Sequence, residues 1–269
     1  MSCPHCAATA TTVQSRRTAL GYRTFRCGRT CNERTGSPYN HLQYPTDLVL
    51  LVVLWRLRDK RSLRDRAAMF LARGFVCSHE AVRDWAARFA PLRANQLRTK
   101  RRGRAGASWH VDETYVKVNG AQCYRYRAID RDGNLIDARR SATRDMDAAQ
   151  RCFRRARALA GATPAQVTTD GHDAYPRAIR ATRGDGVAHR CRRDTNKRIA
   201  HDHRGLKQRY SPLRGCGSFA AAARFCTGFE EHRQYCRAQA RSGAFVSLAE
   251  RRRRFQDRWA AVLAALTAA

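Results

Sequence analysis

A β-hairpin followed by a third strand limits the folds open to this chain. Residues 109–118 and 122–129 are rich in aromatic and β-branched side chains, and the Asn-Gly pair at 119–120 is a typical two-residue hairpin turn. A turn over residues 131–134 leads into a third predicted strand, at 135–140. Three antiparallel strands in succession therefore open the predicted core.

The segments after the hairpin alternate between helix and strand. Helices are predicted over 145–160 and 173–182, with a short strand at 165–169 between them and a further helix over 195–208. Three antiparallel strands, a helix, a strand and more helices form the order of a ribonuclease H-like core. The sequence therefore predicts an α/β fold of this type for residues 109–240.

Two cysteine pairs near the amino end have spacings typical of metal sites. Cys3 and Cys6 are separated by two residues, Cys27 and Cys31 by three. Two such thiolate pairs can complete a tetrahedral zinc site between two hairpin knuckles. The total of 11 cysteines is odd and most of the others are scattered singly, which is not a disulfide framework. We expect a zinc-ribbon-like segment over residues 1–44; a reduced, metal-free segment is the alternative.

Residues 45–97 carry the capping and apolar patterns of three helices. The second is predicted to begin after Ser62, with Asp65 completing a partial capping box, and the third after Ser78, with a glycine-containing turn between them. Two short helices joined in this way resemble a helix-turn-helix, in which Arg83 and Arg88 of the second helix would contact DNA. A three-helix packing module is the alternative.

The charge balance points to a polyanionic partner. Lysine and arginine total 53 against 22 acidic residues, a formal net charge of +31, and nucleic acid is the usual partner of such a chain. The basic stretch 98–108 is predicted to be a linker. It can lie along a phosphate backbone through Lys100, Arg101 and Arg102. No apolar run is long enough to cross a bilayer and the first residues lack a secretory pattern. We therefore expect a cytoplasmic protein of the nucleoid, with no membrane partner.

Asp112 and Asp170 are the candidate catalytic residues of the predicted core. An aspartate on the first strand and another just after the fourth can meet at the edge of such a sheet. Paired carboxylates hold Mg²⁺ or Mn²⁺, which activates the attacking oxygen and stabilises the leaving oxygen of a phosphodiester. Spacing alone leaves open that both are solvated surface groups or helix caps.

The residues around these aspartates are far more specific. The motifs WHVDETYVKV, YRAID and TTDG begin at residues 109, 126 and 168, and NKRI and DHRGLK begin at residues 196 and 202. Together they resemble the DDE transposases of the insertion sequence six family of small bacterial elements, over nearly the whole chain. The resemblance implies metal-dependent strand transfer that joins the 3′ ends of an element to target DNA, with a cointegrate as the usual product. It also implies terminal inverted repeats and target DNA as partners, and a homodimer or higher synaptic assembly.

One position departs from the family pattern. The family's third carboxylate is a glutamate directly after the Asn-x-x-Ile stretch, and this chain has Ala200 there. Alanine cannot bind a metal, so we expect strand transfer to be strongly reduced or absent. A protein that occupies element ends without catalysis is the alternative function, and a zinc-ribbon adaptor unrelated to transposition is a third.

Neighbouring side chains are not expected to replace the missing carboxylate. Imidazole, as in His201, is a weak ligand for magnesium. Asp202 lies about 200° around the helix from Ala200, and Glu113 alternates to the strand face opposite Asp112.

Two features remain outside the catalytic motifs. His203 and Lys207 lie one helical turn apart, where they would contact DNA phosphate or support the active site; a solvated helix face is the alternative. The pattern over residues 241–269 predicts an amphipathic helix with a capping box at Ser247 and Glu250. Its apolar stripe is suited to a dimer interface.

Overall fold

The structure, a computed structural model, describes residue 3 and residues 12–26, 30–101, 103, 105–183, 186–191, 197–211, 216–237 and 246–267. The chain divides into two compact units, one formed by Met1–Val52 with Gln256–Ala269 and the other by Val53–Phe255. Among the described residues no helix combines the length and the apolar character that crossing a membrane requires.

The smaller unit contains a three-stranded antiparallel sheet of β1 (Thr12–Arg17), β2 (Arg23–Arg26) and β3 (Thr30–Asn32). The buried Arg34 organises the loop after β3, because its guanidinium donates to the carbonyl oxygens of Tyr39 at 2.7 Å and Leu42 at 2.8 Å. Among the predicted zinc ligands, the thiols of Cys3 and Cys31 are buried in this unit. Cys6 and Cys27 lie outside the described residues, so the zinc site stays a prediction.

Three helices follow: α1 (Thr46–Arg58), α2 (Leu63–Leu71) and α3 (His79–Arg101). The capping box at the start of α2 is confirmed, since the Asp65 amide donates to Ser62 Oγ and the Ser62 amide donates to Asp65 Oδ2. The predicted linker is wrong over residues 98–101, which continue α3. The physical reason is tertiary: Arg98 and Arg101 both bind the buried carboxylate of Glu231, at 3.0 and 2.7 Å.

The larger unit is built on a five-stranded sheet in the order β6-β5-β4-β7-β8. The strands β4 (Ser108–Val118), β5 (Ala121–Asp130) and β6 (Leu135–Ser141) are antiparallel, while β7 (Gln166–Thr169) and β8 (Ala188–Cys191) run parallel to β4. The predicted Asn-Gly turn is confirmed, with positive φ at both residues. This topology fits a ribonuclease H-like core; β8 was not predicted from the sequence.

Five helices complete the larger part of the chain: α4 (Met146–Ala160), α5 (Ala174–Arg183), α6 (Lys197–Tyr210), α7 (Phe219–Cys236) and α8 (Leu248–Thr267). The helices α4 and α5 cover one face of the sheet through an apolar core that includes Trp109, Val111, Phe153 and Tyr175. The predicted cap of α8 is present, because the Glu250 amide donates to Ser247 Oγ at 3.2 Å.

Buried charged side chains lie on the other face of the central hairpin, beside apolar ones such as Cys123. Arg125 and Arg127 of β5 form ion pairs with Glu230 of α7, and Arg127 also pairs with Asp202 of α6. These side chains are 1–4% exposed. A buried charge is stable only when it is paired, so this network fixes α6 and α7 against the sheet.

The network gives a stability prediction. Replacing Glu230 with alanine leaves two buried guanidinium groups short of a carboxylate, and we expect the free energy of unfolding to fall by about 3–5 kcal/mol. Urea denaturation of the full chain measures this change. The matched control is Asp147→Ala, which removes an exposed pair with Arg151 and should cost less than about 1 kcal/mol. Equal losses in the two variants would contradict the prediction.

Candidate metal centre

Asp112 and Asp170 meet where β7 ends beside the middle of its parallel neighbour β4. Asp112 lies on β4, and Asp170 directly follows β7. The strands pair in register from Ser108 with Gln166 to His110 with Thr168, which brings the two aspartates to adjacent positions. One carboxylate oxygen from each lies within 4.8 Å of the other, and of one from Glu113. All three donors are oxygens, the ligand type that Mg²⁺ and Mn²⁺ prefer.

The presence of Glu113 in this cluster corrects the expectation from strand alternation. The side chain does point to the opposite face from Asp112: it is 4% exposed and accepts hydrogen bonds from Tyr175 of α5 and from Arg144. Its carboxylate nevertheless comes within reach of both aspartates, because β7 ends before Asp170. Beyond that end, no further β7 residue separates the Glu113 side chain from the Asp170 side chain. Strand alternation fixes the direction of the Glu113 side chain but not the distance between its carboxylate and the two aspartates.

Arg144 places a positive charge inside the cluster. Its guanidinium binds Glu113 and lies 3.5 Å from Oδ2 of Asp170. Tyr175 is buried in the apolar core and donates its hydroxyl to the other oxygen of Glu113. These contacts hold Glu113 from two sides. Arg144 and Tyr175 were not identified from the sequence, since no spacing rule links either of them to residue 113.

Burial and the neighbouring carboxylates raise the pKa of Asp112. Desolvation, followed by the charges of Glu113 and Asp170, raises the pKa of Asp112 to about 7. Crowded carboxylates of this kind favour a divalent cation, because its positive charge would stabilise their ionised forms.

His203 lies beside Asp112, with Nδ1 3.9 Å from Oδ2. Burial, reinforced by the charges of Arg125 and Arg127, lowers the pKa of His203 to about 2, so the ring is neutral at physiological pH. A neutral ring that is 5% exposed does not fit the predicted contact with DNA phosphate. The position fits the other prediction, a support for the active site.

Ala200 lies on α6, three residues before His203 and therefore on the helix face that turns toward Asp112. Its methyl group offers no ligand. Asp202 points away, as predicted, and is bound to Arg127 and, at 2.8 Å, to Arg233. The side chain of His201 lies outside the described part of the chain.

The predicted DNA contacts differ in accessibility. Arg83, Arg88, Lys100 and Lys207 are exposed. Arg101 is not available to phosphate, contrary to the prediction, because its guanidinium binds Glu231 and the carbonyl oxygens of β6 at 2.7–2.8 Å. Arg102 lies outside the described residues.

Comparison with known proteins gives consistent matches over this region. A family model described as a DDE domain matches residues 106–239. The transposase for insertion sequence element IS257 in transposon Tn4003 of Staphylococcus aureus is 30% identical over 175 residues, which cover 64% of this chain and 77% of that protein. The transposase for insertion sequence-like element IS431mec of Staphylococcus aureus strain Mu50 has the same identity and coverage.

A solved structure is also similar. It is a simian T-cell lymphotropic virus intasome in complex with the PP2A regulatory subunit B56 gamma, at 17% identity and a TM-score of 0.35, over 47% of this chain and 50% of that chain.

The raised pKa of Asp112 predicts how metal binding depends on pH. A cation competes with the proton on Asp112, so the affinity for Mn²⁺ should rise about tenfold per pH unit below pH 7 and level off above it. Titration calorimetry of the full chain with Mn²⁺ from pH 5.5 to 8 measures the profile. The control Asp112→Asn should bind more weakly and lose this step. A parent profile that is flat across the range would show that Asp112 does not hold the metal.

Proposed function

The chain belongs to the DDE transposases of the insertion sequence six family, and from this membership we propose that it binds the ends of an insertion-sequence element and joins them to target DNA. The observation that carries the proposal is the meeting of Asp112 and Asp170 where β7 ends beside β4. Paired carboxylates in this position suit phosphodiester chemistry. The partners are the terminal inverted repeats and the target DNA.

Asp112 and Asp170 would hold the divalent cation, Mg²⁺ or Mn²⁺. The donor set supports this assignment, because it consists of oxygens and brings three carboxylates within 4.8 Å of one another. When bound, the cation would supply activation of a nucleophilic oxygen and stabilisation of the leaving oxygen.

The residues around the aspartates have supporting roles in this proposal. Neutral His203 limits the space on the α6 side of Asp112 without adding charge. Arg144 and Tyr175 hold Glu113 in place, and Arg144 adds a positive charge near Asp170 that suits a phosphate group.

We propose that strand transfer is impaired by Ala200. The third family carboxylate would come from the face of α6 that turns toward Asp112, and a methyl group stands there. Glu113 is a poor substitute, since Arg144 and Tyr175 already occupy its oxygens. Two aspartates leave the reacting groups loosely held, and a misplacement of about 1 Å can cost about 100-fold in rate.

The absence of the third carboxylate also favours a second function. A chain that binds element ends without joining them would occupy those ends and block an active relative. Arg83, Arg88 and Lys100 on α3 are exposed and would contact DNA in either function. Transposases act on paired ends, so a homodimer or higher assembly belongs to the proposal.

Restoring the missing carboxylate tests the proposed catalysis. Ala200→Glu should raise strand transfer of a marked element, built with the DNA that flanks the coding sequence, by at least about 100-fold. Adding Asp112→Asn or Asp170→Asn should abolish the gain. The matched control is Gln208→Glu, which adds the same charge to an exposed position of α6 and should have no effect. If Ala200→Glu leaves transfer at the parent rate, residue 200 is not the third-ligand position.

Zinc binding by the amino-terminal cysteines is a separate proposal. The full chain, purified under reducing conditions, should contain one zinc ion, because two thiolate pairs complete a tetrahedral site. Cys3→Ser should lower the zinc content measured by elemental analysis, whereas Cys77→Ser, at a partly buried single cysteine, should not. Zinc-free parent protein, or equal content in both variants, would refute the site.

A further inference from the structure

A groove lies between the second half of β4 and the second half of α6. At one end His203 of α6 lies 3.9 Å from Asp112 of β4. At the other end the Tyr210 hydroxyl donates to the carbonyl oxygen of Lys117. The strand and the helix therefore run side by side from the cluster outward. Among the described residues, β7 pairs with β4 only up to His110 and Cys216 bridges to Val118, so the middle of β4 has no ladder partner on this side.

The groove is large and carries no negative charge on its described walls. Its volume is about 790 Å³, within the range of about 300–1,000 Å³ that is usual for ligand sites. The two charged residues that line it are lysines, Lys117 and Lys207, and both are exposed. Two tyrosines, Tyr115 and Tyr210, supply aromatic surface. Lysine and tyrosine side by side suit a ligand with both phosphates and planar rings.

Tyr115 is placed to meet such a ligand close to the reacting groups. It lies two residues after Glu113 on the same face of β4, about 7 Å along the strand. Its side chain is 49% exposed, although it packs against its cross-strand partner Tyr124 with ring centroids 5.4 Å apart. Tyr124 holds the ring in place from one side and leaves part of it open to solvent.

We propose that this groove binds an unpaired segment of a DNA strand next to the phosphodiester on which the carboxylates act. The proposal rests on the proposed function and adds the contacts of the substrate. Tyr115 stacks on a base, and Lys117 and Lys207 bind the flanking phosphates. An unpaired strand is required because the face of a base is accessible to a tyrosine only when its neighbour in the stack has been displaced.

A comparison of two oligomers separates base stacking from charge. The full chain is titrated with a fluorescent oligothymidylate and with an abasic oligomer of the same length, at raised salt to weaken binding to phosphates alone. We expect about tenfold tighter binding to the oligothymidylate, the size of effect that stacking of one base gives. Equal affinity for the two oligomers would overturn the proposal.

Variants assign the preference to the groove. Tyr115→Ala should remove the preference for oligothymidylate while leaving affinity for the abasic oligomer unchanged, and Tyr115→Phe should keep it. Lys207→Gln should weaken both oligomers alike, whereas Lys60→Gln, at an exposed lysine in the α1–α2 connection, should have less effect. A preference that survives Tyr115→Ala, in protein with the parent's unfolding temperature, would overturn the assignment.

Two further measurements complete the test. Photo-crosslinking of an oligomer that contains 5-iododeoxyuridine should attach to the peptide carrying Tyr115, and attachment only to peptides outside the groove would overturn the proposal. Binding to duplex DNA distinguishes failure of the groove proposal from failure of the proposed transposase function. Duplex binding without base preference overturns the groove and leaves the transposase function standing, while loss of all DNA binding overturns both.

Discussion

The buried pairing of arginines with carboxylates on one face of the central hairpin is the constraint on which the rest of the larger unit depends. Arg125 and Arg127 cannot be left without partners in a desolvated layer, so Glu230 and Asp202 must be brought to them. Those carboxylates belong to α7 and α6, and their pairing fixes both helices. The position of His203 beside Asp112, and with it the groove along β4, follows from this electrostatic requirement.

The same network explains a close approach within the helical layer. Arg233 of α7 binds Asp202, and its guanidinium carbon lies 2.7 Å from the point where a Cβ on residue 205 would stand. Glycine at 205 allows this contact. On the opposite face of the sheet the packing is mainly apolar, and charged side chains enter it where Tyr175 and Arg144 hold Glu113 and where Arg155 binds Asp137. The carboxylate cluster lies where the two layers meet beside the end of β7.

Local patterns were sufficient for much of the fold and for part of the site. The hairpin turn, the capping box at Ser62 and the strand before Asp170 were predictable because each depends on residues close together in sequence. The strand β8 was missed because it is short and mostly polar, so it carries no alternation. The end of α3 was placed too early because its last turn is held by Glu231, more than a hundred residues away.

The sequence by itself determined the chemical groups that are available: two aspartates on adjoining strands, alanine in place of the third carboxylate, and a large excess of arginine. Only the tertiary structure decided which of those groups can act. It brought Glu113 within 4.8 Å of both aspartates, buried His203 as a neutral ring and engaged Arg101 in an ion pair. The reason is physical. Distance and desolvation between side chains are set by the packing of elements far apart in the chain, and a local pattern of residues contains neither quantity.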